Sequence, residues 1–296
     1  MNSRGRAEAI LLAVTFIWGG TFTVVKVAMQ EISPIFLIAV RFFIAALLVL
    51  LLFRRQIFPL SGSSIAKGTV LGSFLFLGFI TQNIGLTITT ASKSAFITGM
   101  AVVLVPLLQF IIERRAPKIG NVLGVCVVTV GLWLLTTPEG ASFNSGDALT
   151  LVCAVFFAIY IVYLDVVSRE MRTSQLAFLQ MVATGVLAAV ATLLFETPQF
   201  TWSVRSLSLM AYLTLLATVL SLYVQTRYQK DTTPTRAVII FSIEPVIAAG
   251  IAYLALGEEL GAAGVVGAVL IIAGVLVSEL SDGIPILKQP IGKSES

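Results

Sequence analysis

Apolar residues in this chain come in long unbroken runs, not in the alternation of a strand or the single stripe of a soluble helix. Bounded by Gly, Pro and charged residues, the runs give ten segments, at about 8–29, 34–53, 68–88, 94–112, 118–136, 147–167, 174–195, 207–228, 235–256 and 262–281. A helix rises about 1.5 Å per residue and needs roughly 20 apolar residues to cross a hydrocarbon core about 30 Å thick. The pattern therefore predicts an all-α polytopic membrane protein of ten transmembrane helices. The connections are short, the longest running from about 54 to 67, so no soluble domain is predicted.

The polar residues set the orientation. If the N-terminus is cytoplasmic, 15 of the 19 Lys and Arg fall in cytoplasmic segments. Only Lys26, Arg41, Lys93 and Arg205 fall in outer halves or outer loops. Basic residues concentrate on the inner side of membrane proteins, so both termini are expected in the cytoplasm, with 282–296 a cytoplasmic tail. The N-terminal MNSRGRAEAILLAVTFIWGG reads as the first span and not as a cleaved signal: its apolar run is long and more spans follow.

Composition agrees with this picture. The chain is 57% hydrophobic and 11% charged, with a mean hydropathy of +1.00. A soluble domain carries about 25% charge. The net charge of +4 is explained by membrane orientation, so no nucleic-acid partner is expected. There is no His, which excludes His-ligated metals and His general bases, and no metal or cofactor is expected. Cys126 and Cys153, the two cysteines, lie in apolar segments and read as packed thiols.

The chain also resembles itself. At a shift of 143, Gln82 meets Gln225, Thr89 and Thr90 meet Thr232 and Thr233, Lys93 meets Arg236, and Gly124 and Gly131 meet Gly267 and Gly274. Before the third span the better shift is 139: Glu8 meets Asp147, Trp18 meets Phe157 and Arg41 meets Gln180. The division predicted is 1–139 and 140–281, each with five spans. Because five is odd, the halves must lie in opposite orientations. Inverted repeats are a common secondary-transporter architecture, with the substrate site near the midplane between them.

These segments resemble a known family. WGGTFTVVK (18–26), RFFIAAL (41–47), TTASKSAFITGMAVVLVPLL (89–108) and IERRAPKIGNVLGVCVVTVGLWL (112–134) carry the likeness in the first half. GDALTLVCAVFFAIYIVY (146–163), TTPTRAVIIFSIEPVIAAGIAYLALGEEL (232–260) and GAVLIIAGVLV (267–277) carry it in the second. The whole set is similar to paired EamA domains of the drug/metabolite transporter superfamily. That resemblance implies a ten-span bundle that exports or exchanges small metabolites by alternating access, in a bacterial inner membrane. It implies a small-molecule substrate, amino acids or related compounds foremost, and protons as a coupling ion. Multidrug or cation efflux is the alternative, and the bundle is expected as a monomer or homodimer.

Candidate working residues are those that break the apolar runs. Glu244 lies ten residues into the ninth span, about 15 Å deep. A carboxylate there costs about 2.5–3.5 kcal/mol on insertion scales and usually marks a pathway. Its counterpart in the first half is Ala101, so the repeat does not demand an acid. Pro245 has no amide hydrogen and is predicted to break the helix beside Ser242 and Glu244. Packing alone would also account for the pair.

Gln82 and Gln225 are candidates for the cavity wall, or for interhelical hydrogen bonding. Lys26 and Arg41 are candidates for a substrate carboxylate, or for snorkelling and acid pairing. Trp18, Phe22, Tyr160 and Tyr163 are candidates for an aromatic wall, or for packing. The glycines of the fifth and tenth spans read as helix contacts, within the bundle or between copies. No P-loop, HExxH, GxSxG or intramembrane aspartate cluster occurs. ATP hydrolysis and an intramembrane enzyme are therefore not expected, and a channel is a minor alternative.

Overall fold

A computed structural model describes residues 3–114, 118–135, 143–258 and 261–281. Helices dominate, and Ile32 and Phe200 form an isolated antiparallel bridge. In chain order the helices are α1 (Ser3–Ala28), α2 (Pro34–Ile57), α3 (Gly62–Ile88), α4 (Ala91–Gly99), α5 (Ala101–Glu113), α6 (Ile119–Leu135) and α7 (Ser145–Ser168). They continue with α8 (Thr173–Phe195), α9 (Val204–Ala211), a π-helical stretch (Tyr212–Leu220), α10 (Ser221–Tyr228), α11 (Pro234–Phe241), α12 (Glu244–Leu256) and α13 (Ala262–Leu280).

Among the described residues, 8 helical units are long and apolar enough to cross a membrane, and α6 and α13 are shorter apolar helices. The protein is a multi-pass membrane protein. Many large aliphatic side chains point outward, with Leu193 81% and Leu254 83% exposed, as lipid contact allows. The expected tail at 282–296 and the 136–142 junction lie outside the described residues.

Two expectations about boundaries are corrected. The long connection at 54–67 is mostly helix: α2 runs to Ile57 and α3 begins at Gly62, where the Ser61 hydroxyl accepts from the Ser64 amide. That side chain satisfies an otherwise orphaned donor, so the helix starts well before the apolar run. The eighth segment is also not regular helix. In its π-helical stretch the Thr218 hydroxyl donates to the Leu213 carbonyl, and just beyond it the Ser221 hydroxyl donates to the Leu216 carbonyl, each five residues back.

Glycines determine how α6 and α13 meet. A Cβ on Gly131 would stand 2.7 Å from the Gly267 carbonyl oxygen, and one on Gly124 would stand 2.9 Å from that of Gly274. Small residues let backbones approach closely, and this contact lies within the bundle.

Candidate functional site

The ninth segment breaks where its sequence predicts. α11 ends at Phe241, and α12 begins at Glu244 with Pro245 in its first turn. Proline is well tolerated there because its missing N–H would be an orphan. The proline is not the sole cause of the break, however. The fourth segment breaks at the equivalent place, between Gly99 and Ala101, without one. The two breaks touch: a Cβ on Gly99 would lie 3.0 Å from Pro245 Cγ.

Beside them, α1 supplies Trp18. Gly19 and Gly20 let α12 and the π stretch approach closely, with Ile247 Cγ2 and the Tyr212 hydroxyl 2.5 and 2.8 Å from where a Cβ would be. Trp18 is then fixed by its indole N–H, which donates to the Ala217 carbonyl at 3.0 Å, and by edge contact with Phe241 at 5.4 Å.

These elements enclose a cavity of about 100 Å³. Trp18, Arg41, Gln82, Tyr160, Gln225, Ser242, Glu244 and Pro245 line it, together with Phe79, Thr98, Phe157 and Phe241, which were not singled out in the sequence. Much of the lining consists of residues equivalent in the two halves. Trp18 and Phe157, and Thr21 and Tyr160, match at the shift of 139. Phe79 and Leu222, Gln82 and Gln225, Ala95 and Val238, Thr98 and Phe241, Gly99 and Ser242, and Ala101 and Glu244 match at 143. The ionisable chemistry sits where the halves differ, at Glu244 opposite Ala101 in the alignment and at Arg41 opposite Gln180.

Arg41 is buried, 3% exposed. Its Nε donates to the Thr218 hydroxyl, and its guanidinium lies over the Phe79 ring at 4.9 Å. Ring faces attract cations, more strongly when both are out of water. No carboxylate among the described residues is within ion-pair distance of Arg41, and no cation is within that distance of Glu244.

The amides are only partly engaged with each other's surroundings. Gln82 reaches Thr98 at 3.4 Å, and Gln225 donates to Gln229 at 2.9 Å. Tyr160 is held by Gln180 at 2.9 Å. Asn83 points away from Gln82 and donates to the Pro34 carbonyl, as neighbouring positions on a helix require.

Three of the candidate residues lie elsewhere. Lys26 donates to the Thr89 carbonyl at 2.6 Å; eight residues beyond Trp18, it is about 12 Å further along α1. Phe22 belongs to an apolar cluster with Val25, Leu37 and Ala95 and does not itself line the cavity, although Ala95 and the preceding residue in α1, Thr21, do. Tyr163 lies three residues, about 4.5 Å, further along α7 than Tyr160 and makes edge contact with Phe74 at 6.2 Å.

Two ionic clusters flank this centre. Glu8 accepts from Arg236 Nε at 2.7 Å and from the Thr232 hydroxyl at 2.8 Å. Asp147 accepts from Lys93 Nζ at 2.5 Å and from the Thr89 hydroxyl at 2.6 Å. Through Lys26 and Thr89 the second cluster is tied to the end of α1 remote from Glu8, about 27 Å away. Among the described residues, no group of three or more His, Cys, Asp or Glu is placed to hold a metal ion.

A multi-pass helical bundle with polar groups gathered at a mid-helix break is the architecture of a membrane transporter, and the comparisons agree. The sequence profile of the EamA-like transporter family matches residues 6–137 and again 144–280, so the chain belongs to that family. A protein of Archaeoglobus fulgidus described as an uncharacterized transporter is 34% identical over 274 residues, covering 93% of this chain and 86% of that protein. Protein PagO of Salmonella typhimurium is 21% identical over 94% of each chain. A solved crystal structure superposes with a TM-score of 0.78 at 17% identity, over 94% of this chain and 97% of that one, which establishes the fold.

Proposed function

We propose that this protein is a secondary transporter of amino acids or closely related zwitterions, working as an exporter by alternating access. The observation that carries the reading is the presence of Arg41 and Glu244 in one cavity, each without an ionic partner among the described residues. A buried guanidinium suits a carboxylate through paired hydrogen bonds, and a carboxylate suits an ammonium group. A zwitterion supplies both partners at once and restores the interactions that burial removes.

In this reading ten helices cross the bilayer as two inverted five-helix repeats, 1–139 and 140–281, with both termini cytoplasmic. The equivalent lining residues of the two halves support that arrangement, as do the equivalent ionic clusters at opposite ends of α1. Gln82 and Gln225 line the path from its two sides. Glu244 also serves as the coupling group, exchanging a proton when substrate is absent. The protein acts in a bacterial inner membrane as a monomer or homodimer.

Efflux of flat cations is the competing reading. Trp18, Phe79, Phe157 and Phe241 favour it, but buried Arg41 opposes a cation that brings no carboxylate. A panel of labelled amino acids, sugars, nucleotides and cationic drugs in proteoliposomes separates the two. Uptake confined to amino acids supports the proposal, and uptake of cationic drugs alone replaces it.

A further inference from the structure

The two ionic clusters correspond in their acid, one cation and one hydroxyl, while Glu8 also accepts from Arg4 Nε at 2.9 Å. Glu8 and Asp147 are equivalent at the shift of 139; Arg236 and Lys93, and Thr232 and Thr89, are equivalent at 143. Each acid accepts from the equivalent cation and the equivalent hydroxyl. The local frames match too: the Thr90 hydroxyl accepts from the Lys93 amide to cap α4, and the Thr233 hydroxyl accepts from the Arg236 amide to cap α11.

Each pair also joins one half of the chain to the other. Glu8 belongs to the first half and Arg236 to the second, while Asp147 belongs to the second and Lys93 to the first. Both pairs are buried, with side-chain exposures of 9% and 3% for Glu8 and Arg236, and 0% and 14% for Asp147 and Lys93. Trp18 places the cavity between them, about 15 Å from Glu8 and about 12 Å from Lys26 along α1. The two cations stand on α4 and α11, the short helices that end at the two breaks beside the cavity.

We propose that Glu8–Arg236 and Asp147–Lys93 are two gates of one transport path, each closing the end at which it stands. A path cannot open between the halves at either end while the ion pair that joins them there is intact. α4 and α11 are rigid links, each with a gate cation at its start and the cavity at its far end. Substrate at the breaks can thus bias which pair parts, and the two nearly equivalent clusters make the two open states close in energy. This inference rests on the proposed transport site but not on its substrate.

The test uses one reporter cysteine in the cavity wall, Leu75→Cys, with Cys126→Ser and Cys153→Ala, labelled by a membrane-impermeant maleimide from each side. Arg205→Cys and Arg169→Cys, in separate proteins, mark the two sides: Arg205 bonds Gln30 beyond Lys26, and Arg169 neighbours Ser168, whose carbonyl accepts from Lys230 near Thr232. Asp147→Asn is expected to raise reporter labelling several-fold from the Arg205 side only. Glu8→Gln is expected to raise it from the Arg169 side only. The exchange Lys93→Asp with Asp147→Lys is expected to return labelling toward the parent level.

If Asp147→Asn does not insert, Thr89→Val is read instead, with a smaller increase expected on the same side. Increases on the same side for both acids, or unchanged labelling in inserted protein, would overturn the gates. Side-specific shifts in a protein that carries no amino acid would uphold the gates and remove the substrate reading.

Discussion

Arg41 and Glu244 face one cavity from different halves of the chain, and neither has an ionic partner among the described residues. Burying a charge without an ionic partner is expensive in a bilayer, and in the proposed reading a bound zwitterion supplies the missing partner of each group.

Glu244→Gln keeps size and hydrogen bonding but removes titration. The variant is expected to insert normally and to lose gradient-driven transport, or the pH dependence of that transport. Uptake measured across a pH series checks this, and full transport with an unchanged pH profile would reduce Glu244 to a structural group.

Arg41→Gln removes the cationic partner of a substrate carboxylate. A charged hydrogen bond is worth about 1.5–3 kcal/mol, so kcat/KM for an amino acid should fall about 10- to 100-fold. The decarboxylated amine should be carried no worse by the variant than by the parent. An equal loss for both compounds would show that Arg41 acts only through packing.

Gly131→Ala forces a methyl to within 2.7 Å of the Gly267 carbonyl, whereas a Cβ on Gly250 meets nothing within 4 Å. Overpacking costs about 1–3 kcal/mol, so thermal unfolding in detergent should occur at lower temperature for Gly131→Ala. Gly250→Ala should unfold at the parent temperature or slightly above it, because Ala favours helix over Gly by about 1 kcal/mol.

Cysteine at position 142 should be labelled from outside the cell, and a reporter fused at Ser296 should be cytoplasmic. External labelling of the tail would overturn the topology and the inverted repeat with it.

Cysteines replacing Gln82 and Gln225 should react with water-soluble reagents, and a transported amino acid should protect both. Labelling of neither would mean that the amides serve packing.

Much of the fold is legible because the bilayer imposes a simple demand: a helix must be apolar for its whole length. The helix break at Glu244 is legible for a local reason, the ring of Pro245. Its twin at Gly99–Ala101 has no such residue and becomes visible only when the two segments abut. The π stretch carrying Thr218 to Arg41 leaves no trace in YLTLLATVL, and its contacts with Ile17 of α1 and Arg41 of α2 are long-range.

The cavity residues were legible only in part. Helical spacing places Trp18 and Phe22 on one face, but the cavity takes Trp18 and leaves Phe22 to the core. Glu8 and Asp147 align in the repeat, as do Lys93 and Arg236. That each acid meets the cation of the opposite half is tertiary information, and spacing along the chain does not contain it.

The central claim is that the cavity recognises a zwitterion between Arg41 and Glu244. Its most direct measurement is uptake into proteoliposomes of an amino acid beside two compounds with the same side chain, the amine lacking the carboxylate and the acid lacking the ammonium group. The account predicts uptake of the amino acid and little of either analogue. Uptake of the amine equal to that of the amino acid, or uptake of a cationic drug with every amino acid inert, would contradict it.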